Sequence, residues 1–163
     1  MPVEPGETEA HRLNRNFDDL LQELRVSQNG TQILFAFLLI VPFSKGFAQV
    51  SDFQRGVYFA ALMLAALSAA MLIAPAVMHR MLFRQRRMRD LVRTASQVAL
   101  GGQALLAVAV SLSVFFVTDY LYGHALATVM ATFVLAWTSA WFFALPLYIR
   151  KTGQPDDETV SSR

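Results

Sequence analysis

Four long apolar stretches, residues 31–50, 56–78, 97–118 and 124–149, constrain this chain more than anything else in it. Each is close to the ~20 residues an α-helix needs to cross ~30 Å of hydrocarbon. Charge is expelled from them. Between Leu62 and Ala76 the only polar side chain is Ser68; between Ala104 and Val117 there are only Ser111 and Ser113. A helix on the surface of a soluble bundle shows a polar face instead. Hydrophobic residues make up 55% of the chain and crowd into these stretches. The expected fold is therefore all-α: a polytopic membrane protein whose four transmembrane helices form two antiparallel hairpins, with an amphipathic helix before them.

At 163 residues the length suits one domain. Residues 1–12 and 151–163 read as disordered tails, rich in polar residues, Pro and Gly. Residues 13–29 read as a cytoplasmic amphipathic helix and 30–150 as the four-helix domain. No apolar core of a signal peptide occurs in the first 30 residues, so the first span is expected to act as its own insertion signal. With no cysteine in the chain, thiol chemistry is excluded.

The charges between the stretches set an orientation. If the spans alternate, 12 of the 14 Lys and Arg fall on one side. These are Arg12, Arg15 and Arg25, then Arg80, Arg84, Arg86, Arg87, Arg89 and Arg93, then Arg150, Lys151 and Arg163; only Lys45 and Arg55 fall opposite. Positive segments stay in the cytoplasm, which places both termini and the Arg-rich loop there. The six loop arginines suit contact with anionic head groups. Only Phe83 interleaves with them, so a nucleic-acid partner is not indicated. The outer turns, near residues 51–55 and 119–123, read as very short.

Asn16 reads as the N-cap of the amphipathic helix, followed by the acidic Asp18 and Asp19. Leu13, Phe17, Leu20, Leu21 and Leu24 give it one apolar face, and Asp18, Asp19 and Glu23 the other. The acidic face could meet the Arg-rich loop or simply be solvated. The stretch 81–92 has neither Gly nor Pro, so spans two and three are expected to run on beyond the membrane.

A shift of 71 residues aligns the two hairpins without a gap. Gly30 then falls on Gly101, Gln32 on Gln103, Ser68 on Ser139 and Pro75 on Pro146. A duplication and a shared composition both account for this.

Polar groups at depth are the candidate site residues. Gln32 and Gln103, near the inner ends of spans one and three, need hydrogen-bond partners in lipid and read as glue between helices or as parts of a polar path. Lys45 lies roughly 6–8 Å outward of the first span's centre at 1.5 Å per residue. It is expected to pair with Asp119 or Asp52, the outer carboxylates, or to snorkel to the surface. No Asp or Glu falls near the middle of any span, which argues against autonomous proton-coupled exchange. His79 and His124 lie at span ends without a ligand at i+3 or i+4 and read as interfacial. Pro75 and Pro146 lie in last turns and are expected to free carbonyls. Ala61, Ala65 and Ala69, and Ala66, Ala70 and Ala74, form small-residue rows that suit packing within the chain first and a homo-oligomer second.

The run Glu23-Leu24-Arg25-Val26, Gln28, Gly30, Gln32-Ile33-Leu34-Phe35-Ala36-Phe37-Leu38-Leu39 and Pro42-Phe43, together with Ala74-Pro75, His79-Arg80 and Leu82-Phe83-Arg84, resembles a family of small actinobacterial membrane proteins defined only as a domain of unknown function. The resemblance covers most of residues 20–150 and is sharpest in the first span and the His-Arg segment. It implies four spans and an actinobacterial plasma membrane. Some members carry a sodium:proton antiporter label, for which these residues offer no mechanism.

No nucleophile with its base, no metal-ligand set and no phosphate loop stands in the sequence, so no catalytic residue and no cofactor is named. The function expected is that of a non-enzymatic accessory or interaction protein, with a membrane protein or a second copy as partner. The alternative is a small ion or proton transporter using Lys45, Asp119, Asp52, Gln32 and Gln103.

Overall fold

The computed structural model describes residues 9–82 and 88–144, and among these its only regular elements are helices. Helix α1 runs Glu9–Ile40, α2 Asp52–Leu82, α3 Met88–Tyr122 and α4 His124–Ser139, with a π-helical turn Ala140–Ala144 after it. Two 3-10 turns, Val41–Phe43 and Lys45–Gln49, link α1 to α2. Four segments are long and apolar enough to cross a membrane: Asp19–Phe43, Asp52–Met78, Val92–Tyr122 and His124–Phe142.

The first helix departs from expectation. No break separates an amphipathic helix from span one: α1 continues through Gly30, and Asn16 lies inside it and is not its cap. Residues 9–12 are helical too, within what read as a tail. An internal Gly costs about 1 kcal/mol relative to Ala. The inward row Leu24, Thr31 and Leu38, all buried, outweighs that. Pro42 is the real terminator. It disfavours helical geometry at Val41 and has no N–H for the carbonyl of Leu38. The first apolar segment therefore lies at Asp19–Phe43 and not at 31–50, and the connection to α2 is longer than the short turn expected.

The second outer turn matches the expectation closely. Gly123 alone separates α3 from α4, at φ +90°, where a side chain would be strained. Its N–H bonds to Asp119 O at 3.1 Å and its carbonyl accepts Ala127 N at 3.2 Å.

Helices α2 and α3 pack most extensively, α1 lies against both, and α4 rests mainly on α3. Toward the end of the bundle that holds Val50 and Gly123, the core gathers Leu38, Val50, Tyr58, Ala61, Ala65, Ala109 and Phe116. Inward of it, Leu24, Leu72 and Ala99 pack with Leu20; deeper still, Ala95 meets Leu20, Leu21, Met78 and Val92. So the expected apolar face of α1 is real, at Leu20, Leu21 and Leu24. The row Ala61 and Ala65 is fully buried inside the bundle, where small residues let α2 approach its neighbours. Gly102 completes that approach. A methyl group there would sit 3.0 Å from Leu72 Cγ and Cδ2 and 3.2 Å from Met71 Cβ. On α4 only Ala127 is buried.

Candidate functional site

The polar groups between helices bond to backbone carbonyls. Tyr58 Oη donates to Leu38 O at 2.8 Å, supplying the donor that Pro42 lacks. Gln28 Nε2 donates to Leu72 O at 2.6 Å. Pro75 explains the demand nearby, since it has no N–H for Met71 O and its ring disturbs the adjoining rung. Ser68 Oγ donates to Gly102 O at 2.8 Å, joining α2 to α3 where the two backbones come closest. Thr31, Ser111 and Ser113 turn their hydroxyls back to carbonyls of their own helices. In hydrocarbon each such group needs an internal partner, and these have one.

A second polar cluster sits where α2 begins, α3 ends and α4 begins. Ser51 and Gln54 form a reciprocal cap at the start of α2. The Gln54 N–H bonds to Ser51 Oγ at 3.2 Å, and the Ser51 N–H bonds to Gln54 Oε1 at 3.0 Å. The remaining end of the same side chain, Gln54 Nε2, donates to Asp119 Oδ2 at 2.9 Å. Asp119 Oδ1 is 3.0 Å from His124 Nδ1. A carboxylate only accepts, so this nitrogen carries the hydrogen. The Asp119 side chain is 7% exposed and the His124 side chain 64%. Phe53 and Phe115 flank the imidazole, with ring centroids at 5.1 and 5.3 Å. The first residue of α4 is thereby fixed to the last turn of α3 and, through Gln54, to the first turn of α2.

Of the candidate residues, the structure brings Asp119 into this cluster and leaves the others apart. Lys45 is exposed in the second 3-10 turn and, among the described residues, has no carboxylate within ion-pair distance. The expected pairing is corrected: Asp119 is taken by Gln54 and His124, and Asp52 by Arg55 at 3.4 Å. Because α1 ends before Lys45, the ammonium lies beyond the apolar segment and needs no partner. Gln32 is exposed and Gln103 half-buried, and neither has a hydrogen-bond partner among the described residues. They form no common path. Arg80 and Arg93 are exposed at the inner ends of α2 and α3. Arg84, Arg86 and Arg87 lie outside the described residues, as do Pro146 and the tails from 145 on, and the Arg89 and His79 side chains are likewise not described.

Sequence reasoning named Gln32 where Gln28 makes the contact, and set His124 aside as merely interfacial. The signals for Gln54 and His124 were the Ser-x-x-Gln spacing at 51–54 and the imidazole just past the helix-ending Gly123. Beneath the 3-10 turns lies a cleft of about 110 Å³ lined by Val41, Ser44, Gly46, Phe47, Val50, Phe116 and Tyr120. A shallow groove of about 340 Å³ runs along Leu34, Val110, Ser113, Val114, Val117 and Thr118. Asp119 lines neither. The cluster anchors the start of α4 to α3 and, through Gln54, to α2.

No curated protein and no solved structure is significantly similar to this chain. One family model matches residues 6–146, a range that contains every described residue. The chain belongs to that family, the Family of unknown function (DUF6328).

Proposed function

We propose that this chain is a four-span integral protein of an actinobacterial plasma membrane that acts by association, as a non-enzymatic accessory subunit. The observation that carries the membrane part is the surface of the bundle. Phe37, Phe59, Leu67, Val129, Phe133 and Trp137 are all exposed on helices long enough to span a bilayer. In water so large an apolar surface is a liability; in lipid it is the required one. The reading has two antiparallel hairpins, with both termini and residues 83–87 cytoplasmic, because 12 of 14 Lys and Arg then lie inside. Arg80 and Arg93, exposed at the inner ends, would meet anionic head groups.

Association is favoured over catalysis and transport because Gln28, Tyr58 and Ser68, which reach from one helix to another, are spent on backbone carbonyls. Asp119, the half of the cluster that a carrier would need, has both oxygens engaged at one end of the bundle. The second reading, a small ion or proton transporter, keeps one specific observation in its favour, namely this shielded carboxylate beside an exposed imidazole.

Topology is tested by single cysteines in the naturally cysteine-free chain. In intact cells, Ala48→Cys should react with a membrane-impermeant maleimide and Gln85→Cys should not. Reaction at position 85 would overturn the orientation. Purification from native membrane under mild detergent tests association, with a stoichiometric companion or a homo-oligomer as the expected result and an isolated monomer as the refuting one.

A further inference from the structure

The outward face of α1 carries polar side chains at a depth where lipid cannot satisfy them. Two contacts fix that depth. Gln28 reaches Leu72 O, and Leu38 O receives Tyr58. Asn29 and Gln32 are therefore level with residues between Ala65 and Met71, near the middle of the apolar segment Asp52–Met78. Both are exposed, and neither has a hydrogen-bond partner among the described residues. An exposed amide in mid-hydrocarbon is costly unless another helix covers it. The exposed residues around them form a pattern. Gln22, Val26, Asn29, Ile33, Ala36 and Ile40 follow alternating steps of four and three, the spacing of a helix–helix seam, and all are exposed. Gly30 beside the seam has open space where a side chain would stand, so a second backbone can come close there.

We infer that this face of α1 is the interface with a second copy of the same chain, packed α1 against α1 about a two-fold axis along the membrane normal. The inference rests on the membrane reading above. Copies inserted with one orientation can be related only by such an axis, which makes the two α1 helices parallel and the contact self-complementary. Asn29 suits it, because an amide is both donor and acceptor and can satisfy its own symmetry mate. Glu23 and Arg25 stand on opposite shoulders of the seam, so the two-fold puts the acid of one copy on the same flank as the base of the other. Ala61 and Ala65 of α2 serve no such contact, since they are already buried.

The test uses single cysteines in the full-length protein in its native membranes, oxidised with iodine. Val26→Cys, Ile33→Cys and Ala36→Cys should give disulfide-linked dimers, and Val108→Cys on α3 and Val129→Cys on α4 should not. Monomers throughout, or equal dimer yields at Val129, overturn the proposal. An adduct of another mass at the seam assigns the face to a different protein and overturns it as well. In reconstituted vesicles diluted with lipid, Asn29→Leu should weaken the dimer about tenfold, the scale of one interhelical hydrogen bond. Asn29→Gln should retain most of the affinity. An unchanged dimer in Asn29→Leu refutes the role of the amide. Carbonate washing separates the two readings: protein released from the membrane ends both, while protein retained as a monomer ends only this one.

Discussion

Adding one carbon atom at Gly102 should loosen the contact on which the bundle depends most. In Gly102→Ala the new methyl meets Leu72 Cγ and Cδ2 at 3.0 Å and Met71 Cβ at 3.2 Å. Leu72 Cδ2 ends its side chain, but Leu72 Cγ and Met71 Cβ stand next to the backbone and cannot swing away. Leu72 is fully buried, so α2 and α3 must part by a few tenths of an ångström. Overpacking of this kind costs about 1–3 kcal/mol. The better helix propensity of Ala returns about 1 kcal/mol. Ser68 donates to the carbonyl of this same residue and Gln28 to that of Leu72. Stretching those two bonds adds about 0.5–1.5 kcal/mol each. The sum is a destabilisation of about 3 kcal/mol. Two neighbouring variants calibrate it. In Gly101→Ala the contact is Met71 Cε at 2.7 Å, the mobile end of a flexible side chain, and the effect should be near zero. At Gly56 nothing lies within 4 Å, so Gly56→Ala should stabilise by about 0.5–1 kcal/mol. Unfolding by SDS in mixed micelles, followed by circular dichroism, measures all three. If Gly102→Ala is as stable as Gly56→Ala, the close approach of α2 and α3 described here is wrong.

Tyr58→Phe should cost about 1–3 kcal/mol in the same assay, because it strips Leu38 O of a donor that Pro42 cannot replace; an unaltered transition would refute this. Asp119→Leu should destabilise by a similar amount and Asp119→Asn by less, since the amide oxygen can still accept from Gln54; equal effects would mean that the cluster anchors nothing. Lys45→Met should stay within about 0.5 kcal/mol of the parent, as expected of an exposed residue without an ion-pair partner. Purified protein in liposomes should not dissipate a proton gradient on addition of sodium. A sodium-dependent signal lost in Asp119→Asn would put the transporter reading first.

Composition made the four apolar helices legible, because a run such as Leu62–Ala76 with one serine leaves no polar face. The ends of the first helix were harder. Apolar residues continue past Pro42 as far as Val50, and hydropathy alone does not register that the helix stops at Ile40. Its polar start concealed that Glu9–Ile40 is one rod. Misplacing this helix along its axis put Lys45 at depth and hid Gln28. The missing N–H of Pro42 was the readable clue. Gln54 and Asp119 are 65 positions apart, and no local pattern joins them. Only the packing of α2 on α3 does.

The packing of α4 on α3, with one side-chain hydrogen bond named between them, has a consequence for how the molecule is made. Every interhelical hydrogen bond named above, except that of His124 to Asp119, lies within the first 123 residues. Synthesis delivers α1, α2 and α3 first, so a three-helix core with its inner bonds complete can stand before the last helix leaves the ribosome. The fourth helix then docks onto a finished surface, closed by one imidazole across a one-residue turn. Errors in that final step should leave a folded core with a detached helix. The quality-control machinery of the membrane would then face a protein wrong in one piece only.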